Sequence, residues 1–71
     1  MYLIKCFYIA YETVNGIEIR IQKSFEHQAY CCPKCEEHLE FVEADVGRSL
    51  ISCECGYGYW VDPQGKREDV D

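Results

Sequence analysis

With 71 residues, 48% of them hydrophobic and 14% aromatic, the chain is one domain (1–71) near the lower size limit at which an apolar core carries a fold alone. A chain this small calls for a staple, and its six cysteines supply one, either as disulfides or as metal ligands. The net charge of −6 argues against binding the nucleic-acid backbone, which rests on Lys and Arg, and favours a protein partner with a basic face.

The opening stretch MYLIKCFYIAYE carries Lys5 inside its apolar run and no small-residue cleavage site, and it is too short to cross a bilayer. We therefore expect an intact cytoplasmic product, no membrane contact, and reduced cysteines that favour a metal over disulfides. Residues 2–14 and 17–25 flank Asn15-Gly16, a pair suited to a type I′ turn because both central residues need positive φ. The two-residue loop predicts a register that sets Val14 against Ile17, Glu12 against Ile19, Ala10 against Ile21, Tyr8 against Lys23 and Cys6 against Phe25. One face then gathers Ile4, Cys6, Tyr8, Ala10, Val14, Ile17, Ile19, Ile21 and Phe25, the expected core face of an N-terminal β-hairpin. The other face pairs Tyr11 with Arg20 and Thr13 with Glu18 towards solvent, although Phe7 and Ile9 also lie on it. An unpaired edge of this hairpin can join a copy of itself, making a homo-oligomer, or another protein's sheet. Residues 26–31 read as a connector that completes the N-terminal unit (1–30), with His27 an ordinary polar residue of it.

The second unit (31–61) begins at the knuckle Cys32-Pro33-Lys34-Cys35. Two thiolates at this spacing converge on one ion across a tight turn whose backbone N–H groups donate to sulfur. The alternating stretch EHLEFVEA puts Leu39 and Phe41 on one face, DVGR (45–48) is a turn, and SLIS leads into Cys53-Glu54-Cys55. Residues i and i+2 of a strand face the same way, so this shortened pair can also reach the ion, and Gly56 lets the chain turn away. YGYWV (57–61) reads as a third strand, with Tyr57, Tyr59 and Val61 on one face and Trp60 on the other. Asp62-Pro63-Gln64-Gly65 ends it, and the polar tail (62–71) reads as frayed. The single helical candidate is a short turn around Cys35–Leu39.

Residues 32–61 resemble a zinc ribbon: knuckle, hairpin, second knuckle and closing strand. The resemblance implies one structural Zn²⁺ held by Cys32, Cys35, Cys53 and Cys55, on a small three-stranded sheet against which the hairpin packs. The C-x-C pair departs from the usual spacing. Cys31 in place of Cys32 and His38 in place of Cys53 are the other ligand assignments. Iron in a rubredoxin-like centre is the rival metal, since tetrahedral sulfur suits both ions. Cys6 and Cys31 read as small buried hydrophobes.

Charge is uneven. Residues 1–30 balance Glu12, Glu18 and Glu26 against Lys5, Arg20 and Lys23, whereas residues 31–71 hold ten acids against four cations. Four thiolates on one Zn²⁺ would take the total to about −8. A closed four-cysteine site leaves no open position for water, and no catalytic constellation stands beside it, so no enzyme activity is expected. Tyr57, Tyr59 and Trp60 either shield the metal or, with Glu40, Glu43 and Asp45, anchor a partner. Three functions follow: a non-catalytic protein-binding regulator or inhibitor, for example of the phage anti-restriction or anti-CRISPR type, acting on a nucleic-acid-handling machine; a nucleic-acid-binding ribbon; or an iron electron-transfer protein.

Overall fold

In the computed structural model, which describes residues 1–70, two antiparallel sheets pack together. Tyr2–Val14 (β1) and Ile17–Ala29 (β2) form the hairpin, and their pairing follows the expected register from Val14↔Ile17 to Cys6↔Phe25. Asn15 (φ 53°) and Gly16 (φ 78°) take the left-handed conformations that a type I′ turn demands. The pairing then continues through Ile4↔His27 to Tyr2↔Ala29, so residues 26–29 are strand, not connector. β1 begins at Tyr2, and its backbone groups recruit the partner residues to the end.

The second sheet has the order β3-β4-β5-β6, built from Glu40–Asp45 (β3), Arg48–Ser52 (β4), Gly58–Val61 (β5) and Arg67–Asp69 (β6). It has four strands where three were expected, because the tail returns. Asp62 Oδ1 accepts the N–H groups of Gln64 and Lys66 at 3.0 and 2.9 Å, Gly65 takes φ 88°, and the chain folds back so that Arg67 pairs with Val61. The Arg67 guanidinium lies 4.6 Å from the Tyr59 ring centroid, and Glu68 bonds Arg48 at 2.9 Å, which holds the added strand. Asp71 lies outside the described residues. No helix forms among the described residues, and Pro33–Cys35 make a turn.

Cys6, Cys32, Leu39, Ile51, Tyr59 and Val61 form the core, flanked by Ile4, Phe25, Phe41, Cys53 and Tyr57. Burying a side chain such as Ile51 is worth about 1.5–3 kcal/mol. On the hairpin's other face, the Phe7 and Phe41 rings meet edge to face at 5.3 Å, and at the edge of β1 Gly47 N–H donates to Ile9 O at 2.9 Å. The sheets therefore share only the root of the hairpin. Val14 (45% exposed), Ile17 (65%) and Ile19 (41%) belong to the expected core face yet lie in solvent. Two 13-residue strands outrun the six-residue β3 beneath them, and the molecule extends 48 Å along its longest axis.

Gly58 sits where β5 passes close to β4. A Cβ there would come within 2.9 Å of the Ile51 carbonyl oxygen and 3.2 Å of Ser52 Cβ. Gly58→Ala is expected to cost about 1–3 kcal/mol, since backbone must move to admit the methyl group. A denaturation midpoint unchanged from the parent would contradict this tight approach.

Candidate metal centre

The first knuckle is wound by two backbone bonds: Glu36 N–H to Cys32 O at 2.8 Å, and Cys32 N–H to Glu37 O at 2.7 Å. Glu36 takes φ 61° to close this turn. Asp, Asn and Gly are more usual there, so Glu36 is a local strain that the surrounding turn holds in place. The second pair also sits in a turn and not on a strand, contrary to the i, i+2 expectation. Gly56 N–H bonds Cys53 O at 3.0 Å, Cys53 N–H bonds Tyr57 O at 2.9 Å, and Gly56 takes φ 98°, so the loop between β4 and β5 carries both thiols. A tight turn swings two side chains to one side at this spacing as effectively as a strand does.

These two turns bring together the Sγ atoms of Cys32, Cys35, Cys53 and Cys55, all within 4.8 Å of one another. Cys32 and Cys55 approach to 3.3 Å, and Cys35 and Cys53 to 3.1 Å. A tetrahedral ion with sulfur legs of about 2.3 Å needs edges of about 3.8 Å, which this spread brackets. The donor set thus fits one metal ion. All six cysteines are free thiols. Burial pushes the Cys32 thiol up, but the N–H groups of Lys34 and Cys35, and then the Cys55 and Cys35 thiols, outweigh it and bring it down to about 7. Cys35 is pushed up to about 12, first by sharing a proton with Cys53. At Cys55 the N–H of Tyr57 favours the thiolate, yet Cys32 and burial win and raise the thiol. Sulfurs this close cannot all ionise unaided, and a cation at their centre removes that conflict.

The other assignments separate from the cluster. Cys31 and His38 form an isolated β-bridge with each other, and the His38 ring stacks 4.5 Å from Tyr2. Cys31 is exposed, not a buried hydrophobe, because Cys32 takes the inward side of the chain at this point. Cys6 is fully buried.

The candidate partner residues divide. Tyr59 is 1% exposed and belongs to the core, and Tyr57 is half-buried, its ring 6.3 Å from that of Tyr59. Neither a free Tyr59 hydroxyl nor its ring is available to a partner. Trp60 is half-buried on the outer face of the sheet, with the Arg48 guanidinium 4.3 Å from its ring. Glu40, Glu43 and Asp45 share that face. A shift of register between Phe41 and Glu43 makes this possible, since Glu40 pairs with Ser52, Glu43 with Leu50 and Asp45 with Arg48. Without the bulge, Glu40 and Glu43 would point to opposite sides. Leu50 and Trp60 pair at the centre, and Glu68 lies across from Trp60.

Sequence reasoning missed His27. It is buried, and its Nε2 lies 2.8 Å from the Tyr59 hydroxyl. Burial, and then the positive charge of Arg67, lower its pKa below the usual 6.5. Extending the Asn15-Gly16 register to the end of β1 pairs Ile4 with His27 and would have put His27 on the core face. Arg48 was also overlooked as the partner of both Asp45 (3.5 Å) and Glu68 (2.9 Å).

No family model, curated protein or solved structure matches the chain. Its relation to known proteins rests on the four-cysteine cluster set in a small β-rich fold, an arrangement consistent with a zinc-ribbon-like segment over residues 32–61.

Proposed function

We propose that the protein is a non-catalytic zinc-ribbon module that acts by binding another protein, as a small acidic regulator or inhibitor of a nucleic-acid-handling machine. One observation carries this reading: the bulge in β3 gathers Glu40, Glu43 and Asp45 on the outer sheet face around the Leu50–Trp60 pair. A half-buried tryptophan that carries Arg48 on its ring, with carboxylates on the flanking strands, suits a partner surface that offers an apolar pocket within a basic rim. Glu40 and Glu43 have no ion-pair partner among the described residues, so their charge is free to meet such a rim. The same acids could imitate the phosphate charge that a nucleic-acid-handling protein normally meets. Zinc is the metal we assign, as the closed structural ion of a four-thiolate site.

The test is capture from nuclease-treated extract by the immobilised protein, followed by affinity measurement on the purified partner. Glu43→Lys and Trp60→Ala should each weaken binding about 30-fold or more, Glu18→Lys on the hairpin should not, and added salt should weaken the parent complex. A partner held equally well by Glu43→Lys, or indifferent to salt, overturns the reading. A shift of single-stranded nucleic acid at low salt would favour a nucleic-acid-binding ribbon, and a coloured, iron-loaded protein would favour electron transfer.

A further inference from the structure

We propose that the chain forms a two-fold dimer in which β2 pairs antiparallel with β2 of a second copy, centred on Ile21. Among the described residues no strand lies beside the outer edge of β2. The hairpin is a two-stranded sheet, and among the described residues no backbone bond reaches β2 from outside it. In a hairpin with a two-residue loop, Val14 and Ile17 form a hydrogen-bonded pair. Glu18, Arg20, Gln22 and Ser24 therefore aim their N–H and C=O groups away from β1, presenting a ready ladder.

The other edges of the molecule are blunted. Gly47 and Val46 cover β1 at Ile9, β3 carries a bulge, and β6 has three residues. β2 has none of these devices: no proline, no register shift, and 13 consecutive pairs with β1. A long regular edge of this kind is a template for another strand.

Charge identifies the occupant. Residues 1–30 sum to zero, whereas the rest of the chain carries the whole net charge of −6. Nothing on the hairpin selects a strongly charged partner, and two hairpins can meet without mutual repulsion. The pattern also selects the register. An axis at Arg20 or Lys23 would set that residue against its own copy, and an axis at Gln22 would set Glu18 against Glu26. An axis at Ser24 or Phe25 would carry Ile17 past the end of the facing strand, and an axis at Ile19 would overlap only residues 17–21 of the two strands, against 17–25 for an axis at Ile21. An axis at Ile21 opposes no like charges: Glu18 meets Ser24, Ile19 meets Lys23, and Arg20 meets Gln22. It also places Ile17, 65% exposed, beside Phe25 of the second copy, on the face where Phe25 joins the core. The Asn15-Gly16 turn of one copy then arrives level with His27 of the other. There, an open cavity of about 340 Å³ lies between Phe25–Gln28 and the Asp62–Gly65 turn, with room for it. An isolated two-stranded tip is marginal in water, and this pairing makes it the middle of a four-stranded sheet.

Sedimentation equilibrium on the full chain, with its metal as purified, tests the proposal. The expected mass is twice the 8.3 kDa of one chain. Gln22→Arg puts like charges opposite each other twice across the axis and should weaken the dimer about ten-fold. Gln22→Glu faces Arg20 twice and should tighten it by a similar factor. Position 22 is exposed, so neither change disturbs the monomer. A monomer at millimolar concentration, or two substitutions that move the equilibrium the same way or not at all, would overturn the inference. Gln22→Pro removes an outward N–H that the monomer does not use, and should leave a folded, metal-loaded monomer. If that variant stays dimeric, the edge of β2 is not the interface.

Discussion

Replacing Cys35 with Ser, or stripping the metal with a chelator, is expected to unfold the whole chain and not merely loosen one turn. A structural zinc in a small domain contributes on the order of 10 kcal/mol of apparent binding free energy, comparable to the entire stability of an ordinary domain. Here the metal turns also anchor the core: Cys32 is buried within it, and Cys53 packs against it beside Tyr57. Residues 32–61 should melt first. The hairpin should follow, because the surface that covers Cys6, Ile4 and Phe25 is the four-stranded sheet with its cysteine turns, and a lone two-stranded sheet does not persist in water. Loss of far-UV strand signal, a red shift of the single tryptophan and fast amide exchange throughout would accompany metal loss. Cys31→Ser is the control, since Cys31 is exposed and outside the cluster, and it should keep one metal ion per chain. A Cys35→Ser protein with a cooperative melt and full metal content would show that the apolar core suffices, and the ligand set would have to be reassigned.

Much of this arrangement is legible in the residues because the signals are local. Asn15-Gly16 dictates the turn and, through its two-residue length, the register of every pair behind it. The spacing of Cys32 and Cys35, with Pro33 between, marks a knuckle without knowledge of the rest of the fold. The parts that escaped depend on length or on distant contacts. Val14, Ile17 and Ile19 carry a perfect core pattern, but a pattern cannot say how far the covering sheet extends, and β3 and β4 stop short of them. Asp62-Pro63-Gln64-Gly65 reads equally as a stop and as a reversal. The difference lies in Arg67 finding Tyr59 and Glu68 finding Arg48, contacts closed only by folding. The bulge in β3 has no sequence marker, yet it decides which acids stand together.

Tyr59→Ala is expected to cost about 3–5 kcal/mol, the second largest loss after the metal, because it empties the largest fully buried side chain of the core. Tyr59 stands in β5, but it reaches across to the hairpin, where His27 meets its hydroxyl at 2.8 Å, and it carries Arg67 on its ring. Removing it opens a cavity, orphans a buried imidazole and frees β6. Tyr59→Phe separates these effects: it keeps the packing, loses the hydrogen bond, and should cost about 1–2 kcal/mol. The same contact gives the fold an acid limit. Burial and Arg67 hold the pKa of His27 below its unfolded value of 6.5, so the unfolded chain binds a proton more readily than the folded one. The stability from neutral His27 is therefore complete above about pH 6.5 and is lost as pH falls from there towards the lowered folded pKa. Protonation of the thiolates also destabilises the site in acid, so metal content must be followed alongside the melt. His27→Gln keeps a polar partner for Tyr59 without the titration. It should flatten the stability profile just below pH 6.5 while the metal remains bound, and a slope equal to the parent's would assign the acid sensitivity to the thiolates alone.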